Sequence, residues 1–263
     1  MDEMKSSLGL SRERVEVMEV KGPFALLIRK SEVMRYLGYR PGVTEISPRV
    51  EAVIDEALNR AGTFLKPRAA VAGVRIDSTD AEQVCAGSSS GGDTFVWRSK
   101  SLARLLNGCP RATIMAVTIG PELENESSAS FARGEYTLGA IYDAAGSEAV
   151  EGLADEVNAR IDREARAAGY ETTPRFSPGY GRWALADQAA LLALVGTAGI
   201  KLTPALMLDP QKSVTAVVGW RPLPADARGV EGAWAPQEGD PDRTTEKCLS
   251  CDMDDCRFRR EGS

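Results

Sequence analysis

Two groups of residues have types and spacing suited to chemistry. Cys248, Cys251 and Cys256 form a C-x2-C-x4-C cluster near the end of the chain. Three thiolates at that spacing can face one metal centre, and sulfur ligands without histidine favour an iron-sulfur cluster or zinc. Free or regulatory thiols are the alternative. Cys85 and Cys109 stand alone. Either could supply a fourth ligand if the tail folds back, as could a partner chain or a small molecule. The second group is the run Arg175-Phe176-Ser177-Pro178-Gly179-Tyr180. Here Gly179 would let the backbone approach a ligand closely, Arg175 could meet a carboxylate, and the Tyr180 ring could face a positive centre. Taken alone, the same run also fits a Pro-Gly turn with a surface arginine and a packed tyrosine.

Other candidates carry less. Glu122 and Glu124 have the look of an acid/base pair, but a helix N-terminus attracts acids for electrostatic reasons, and that is the simpler reading. The stretch Gly87-Ser88-Ser89-Ser90-Gly91-Gly92 lacks the Gly-Lys-Ser/Thr ending of a phosphate loop and precedes a strand, so it reads as a flexible turn. Trp97, Trp183, Trp220 and Trp234 follow no period and read as packing residues, with Trp183 the one close to Tyr180.

The chain contains no histidine. This excludes Ser/His/Asp and Cys/His nucleophile pairs, histidine-ligated metals, and a histidine that ligates cobalt. The 263 residues are 43% hydrophobic and 27% charged, enough for a sizeable core. A net charge of −6 from interspersed acids and bases leaves no basic stripe for nucleic acid. The N-terminus lacks the apolar core of a signal peptide and no apolar run reaches bilayer length, so a cytoplasmic location is expected. In that compartment clustered cysteines point to metal or redox chemistry rather than a disulfide.

The elements that must position these residues are legible in part. Ser47-Pro48 followed by Val50, Val53, Ile54, Ala57, Leu58 and Ala61 predicts an amphipathic helix ending at Gly62. A strand is expected at 24–28 and a short helix at 32–37 closed by Gly38. Strands are expected at 69–76, 94–97, 112–119 and 213–219. A second long helix is expected from Ser147 to about Gly169, and an apolar core helix over 184–197. From Arg221 onward Pro, Gly, Asp and Arg dominate, which divides the chain into a globular domain over 1–235 and a Cys-rich tail over 236–263. Helices and strands without βαβ alternation indicate an α+β fold.

Over 32–220 the chain resembles the activation domain of vitamin B12-dependent methionine synthase and its stand-alone relatives. Arg175-Phe-Ser-Pro-Gly179-Tyr180 is similar to that family's Arg-x-x-Pro-Gly-Tyr loop. Gly199-Ile-Lys-Leu202-Thr203, Met207, Pro210 and Ser213-Val214 follow the family's next block. Thr118-Ile119-Gly120-Pro121-Glu122-Leu123-Glu124 and Asp143-Ala144-Ala145-Gly146-Ser147 look like the stand-alone members, and Val150-Glu151-Gly152-Leu153-Ala154-Asp155 like the full-length enzyme. The resemblance implies a twisted antiparallel sheet flanked by helices. It also implies S-adenosylmethionine held by Arg175, Ser177, Pro178, Gly179 and Tyr180, with cobalamin carried by a corrinoid protein partner.

The implied role is that of an accessory of a B12-dependent methyltransferase, with no complete catalytic apparatus of its own, that supports reductive remethylation of cobalamin. A docking module that no longer binds S-adenosylmethionine is the alternative, and an independent methyltransferase a third reading. The cysteines do not follow the order of a radical S-adenosylmethionine enzyme. Two departures from the family stand out: Gly181-Arg182-Trp183-Ala184 replaces its Pro-x-x-Pro character, and its tyrosine-bearing segment after Trp220 has no counterpart.

Overall fold

In a computed structural model, residues 16–18, 28–40, 42–88, 94–196 and 198–224 are described. The strand expected at 24–28 falls almost wholly outside them, as do Trp234 and the cysteine cluster. Seven strands form one antiparallel sheet: β1 (Glu16–Met18), β2 (Arg68–Thr79), β3 (Gln83–Ser88), β4 (Thr94–Arg98), β5 (Arg111–Thr118), β6 (Tyr170–Thr172) and β9 (Ser213–Pro222). Their order is β4-β3-β2-β5-β9-β6, with β1 also paired to β2, and β7 (Lys201–Leu202) and β8 (Leu208–Asp209) make a separate ribbon.

Among the described residues six α-helices accompany the strands: α1 (Lys30–Tyr36), α2 (Pro48–Thr63), α3 (Lys100–Leu106), α4 (Glu122–Ala132), α5 (Tyr136–Ala167) and α6 (Gln188–Val195). The helices cover both faces of the central strands. On one face α1, α2 and α5 bury Ile54, Leu153, Val157 and Ile161 against Met115, Val117 and Val218. On the other, α3 and α6 bury Leu102, Leu106 and Leu191 against Ile114, Ala116 and Val217. This explains why the run from Ala112 to Thr118 holds no charged residue and shows no regular apolar–polar alternation: every residue in it is buried.

The start of α2 follows its sequence cue, since the Ser47 hydroxyl accepts from Val50 N and Pro48 opens the first turn. The start of α5 does not. The helix begins eleven residues before Ser147, at Tyr136. Its two early glycines act as close-contact sites instead of breakers. A Cβ on Gly139 would lie 2.9 Å from the Phe131 ring, and one on Gly146 would lie 3.2 Å from the Lys212 side chain. Ser147 donates back to the carbonyl of Asp143 at 3.1 Å, the habit of a mid-helix serine, rather than capping.

Strand β3 and helix α3 are further additions to the sequence reading, with β3 taking up Gly87 and Ser88 from the expected turn, whereas the start of α4 falls where the acids suggested a helix N-terminus. Both acids at 122 and 124 fall in the first turn of α4. The Glu124 carboxylate accepts from the backbone N–H of Gln211 at 2.8 Å and of Lys212 at 3.4 Å. Lys212 in turn reaches Asp143 at 2.7 Å and Ser147 at 2.9 Å. Three segments distant in sequence, 118–124, 143–147 and 199–214, therefore meet around Lys212. Glu124→Ala should cost about 0.5–1.5 kcal/mol by removing the acceptor of these two amides, read as a lower urea midpoint. An unchanged midpoint would show that water replaces the carboxylate without loss.

Candidate functional site

The segment carrying the arginine extends the edge of the sheet beyond β6. Thr173 N donates to Gly219 O at 2.9 Å, and Phe176 and Val217 exchange backbone bonds of 3.0 and 2.8 Å. Two tight turns follow. Tyr180 N donates to Ser177 O at 3.1 Å across Pro178-Gly179, with φ of +95° at Gly179. That is the arrangement in which proline takes the second position of a turn and glycine the third, because the third needs a positive φ. Trp183 N then donates to Tyr180 O at 2.8 Å, and Gly179 N to Trp183 O at 2.9 Å. In this second turn Gly181 and Arg182 both have positive φ, +48° and +65°.

The loop divides its side chains between the two layers. Arg175 points to α5, where its side chain is only 7% exposed. Its Nη2 lies 3.2 Å from Glu151 and 2.8 Å from Asp155, both half-exposed. Its Nη1 is buried without a hydrogen-bond partner among the described residues. Phe176 turns the other way and packs with Trp183 in the core under α3 and α6. Tyr180, half-exposed, meets Phe176 edge-on. Ser177 is half-buried and Pro178 buried. The backbone thus keeps the five residues expected to form a site on one loop, while the Arg175 and Phe176 side chains belong to different faces of the sheet.

The carboxylates facing Arg175 were legible only as part of a family-like run, not as site residues. Their signal is the helical spacing of Glu148, Glu151 and Asp155, which places the three acids along one side of α5. Glu148 is 1% exposed and accepts from Arg29 Nε at 2.5 Å. Burial raises its carboxyl above the ordinary 4.5, more than the Arg29 partner lowers it. The folded chain therefore keeps a proton that the unfolded chain releases. The stabilisation this gives is fully present below 4.5 and is lost as pH rises through the higher folded value. Glu148→Gln, neutral throughout, should flatten the decline of the denaturation midpoint as pH rises above 4.5. Parallel curves for the two proteins would refute this assignment.

Trp183 is 2% exposed and donates its indole N–H to Asp187 at 2.6 Å, so it packs beneath the loop. Cys85 sits half-buried on β3, and Cys109, after α3, is buried, its thiol pushed up by that burial. Cys248, Cys251 and Cys256 lie outside the described residues. Among the described residues no group of three or more Cys, Asp or Glu could hold a metal, and no helix is long and apolar enough to cross a membrane. A shallow pocket of about 180 Å³ lies between α2 and α5, lined by Val53, Glu56, Ala57, Arg60 and Leu138. Leu138 is roughly 20 Å along α5 from Glu151, so this pocket is separate from the loop.

These elements define an α+β domain with a strongly curled antiparallel sheet and six helices. The same fold is seen in the crystal structure of the MetH reactivation domain bound to AdoHcy. The two share a TM-score of 0.59 at 16% sequence identity, over 80% of each chain. No family model matches the chain, and no curated protein matches it.

Proposed function

We propose that this chain binds S-adenosylmethionine along the sheet edge at Arg175, Ser177, Pro178, Gly179 and Tyr180, and presents it to a cobalamin-carrying methyltransferase for reactivation. The observation that carries this reading is the buried guanidinium of Arg175, whose Nη1 lacks a partner among the described residues while Nη2 is held by two half-exposed acids. An orphaned cationic donor beside surplus carboxylate suits a ligand with a carboxylate, an ammonium and a sulfonium group. The Arg175 Nη1 takes the carboxylate, Glu151 and Asp155 attract the positive groups, and the exposed face of Tyr180 lies further along the edge. A ligand that touches both ends runs past the Ser177-Pro178-Gly179 backbone, where Gly179 removes the side chain that would obstruct it.

The fold shared with a domain crystallised with AdoHcy supports the same ligand class. S-adenosylmethionine supplies the methyl group. The protein's part is to orient it, a task of positioning that needs no general base and hence no histidine. Calorimetry with S-adenosylmethionine and S-adenosylhomocysteine tests the site, and absence of heat at millimolar ligand overturns it. Methyl transfer to the cobalt of a reduced corrinoid protein, followed by absorbance, then tests the role.

A second reading, a docking module without the ligand, is favoured by one observation: Glu151 and Asp155 already occupy Arg175 Nη2. Calorimetry separates the two readings. For Cys248, Cys251 and Cys256 the support is their spacing, which suits an iron-sulfur cluster or zinc. Anaerobic reconstitution with iron and sulfide assay tests the cluster, and stoichiometric zinc without iron would refute it.

A further inference from the structure

Five aromatic rings touch in series from the exposed loop into the core. Tyr180 meets Phe176 edge-on at 6.1 Å between centroids, and Phe176 stacks on Trp183 at 6.1 Å with 17° between planes. Trp183 then meets Trp97 edge-on at 5.8 Å, and Trp97 tilts against Phe95 at 5.0 Å. Packing accounts for ring contacts of this kind. It does not account for the uneven polar surroundings. The indole N–H of buried Trp183 donates to the Asp187 carboxylate at 2.6 Å, whereas that of Trp97 has no partner among the described residues. A second tryptophan–tyrosine pair, Trp220 with Tyr170 at 5.9 Å, has the opposite setting. There the Arg111 guanidinium lies 5.2 Å from one ring centre and 4.6 Å from the other.

Charge decides where an electron vacancy settles. A carboxylate against the indole stabilises the oxidised ring and accepts its proton, while a guanidinium over the ring opposes oxidation. Of the two tryptophan–tyrosine groups, the column ending at Tyr180 is therefore the one that oxidises. Its outer ring is 52% exposed, in contact with solvent, and the tryptophans behind it are 2% and 1% exposed.

We propose that Trp183, Phe176 and Tyr180 form a relay that moves one-electron oxidising equivalents from the core to the surface at Tyr180. A one-electron oxidant takes an electron from Trp183, or from Trp97, which Trp183 then refills. The Nε1 proton of Trp183 passes to Asp187. Tyr180 returns an electron to Trp183 across the Phe176 ring, the proton goes back from Asp187 to Nε1, and the Tyr180 phenol releases its proton to solvent. The net change is one electron to the oxidant, a phenoxyl radical on Tyr180 and one proton in water. A hydrogen atom from a soluble thiol restores the phenol. The relay operates whether or not the loop binds a ligand, so its test is independent of the site proposed above.

Pulse radiolysis of the full chain with azide radical, which oxidises tryptophan, reads the relay directly. The expected result is decay of the indolyl radical matched by growth of phenoxyl absorbance, at a rate independent of protein concentration. Tyr180→Phe, at a half-exposed position that leaves the core intact, should lose that growth, and Asp187→Asn should slow it. Tyr170→Phe should leave it unchanged. Full phenoxyl yield in Tyr180→Phe, loss of the yield in Tyr170→Phe, or a rate proportional to protein concentration would each overturn the proposal.

Discussion

Arg175→Ala should weaken binding of S-adenosylmethionine by roughly ten- to hundredfold, the value of a charge-assisted hydrogen bond made in a buried setting. The guanidinium is buried between α5 and the sheet edge, its Nη2 held by Glu151 and Asp155 and its Nη1 without a partner among the described residues. Removing it takes away the donor proposed for the ligand carboxylate and leaves two carboxylates facing the proposed site. Stability should fall less than affinity, because both acids are half-exposed and water solvates them once the arginine is gone. Calorimetry on the variant beside a denaturation curve separates the two effects. A large loss of stability with affinity retained would make Arg175 a structural residue and move the ligand elsewhere. Arg175→Lys is expected to keep part of the stability and little of the affinity, since a lysine cannot serve the acids and the ligand through two separate nitrogens.

Gly181→Ala should destabilise the chain and disorder the loop together. The residue has φ of +48°, and an added Cβ would lie 2.6 Å from Ser101 Oγ and 3.0 Å from the Phe176 ring. The left-handed backbone costs about 1–2 kcal/mol for a residue with a side chain, and overpacking a tight contact costs about 1–3 kcal/mol. Ser101 also donates to Gly181 O at 2.9 Å, so the clash pushes on the bond that anchors the second turn. The melting temperature should drop by roughly 5 °C or more. Affinity for the proposed ligand should fall as well, because the Pro178-Gly179 turn is hydrogen-bonded to the displaced second turn through Gly179 N and Trp183 O. A variant that melts like the wild type would mean that α3, which carries Ser101, shifts to make room.

Legibility differed between elements for reasons that particular residues show. The helix α2 was readable because its information is local: a serine cap, a proline in the first turn and one apolar stripe. Strands β2, β5 and β9 were readable from β-branched runs, and their ends moved by no more than three residues. Helix α5 was read too short because Ser147 followed by Glu148 and Glu151 looks like a helix start with acids in its first turn. Only the neighbours Phe131 and Lys212 explain why nothing larger than Gly139 and Gly146 fits in the turns before it. Glu122 and Glu124 showed their helix N-terminus correctly. That Glu124 also binds the backbone 87 residues later has no local signature.

What the sequence determined by itself about this protein is the set of local conformations, an α+β pattern and a Pro-Gly turn at the loop, together with a side-chain inventory that lacks histidine. These follow from backbone preference and side-chain inventory, which act within a few residues. Tertiary structure alone decided what the loop faces. Arg175 and Phe176 are adjacent, so on extended backbone they point to opposite sides of the sheet. One therefore meets the acids of α5 and the other the tryptophans of the opposite core. That choice depends on which helix covers which face, and it is settled by the burial of both cores at once.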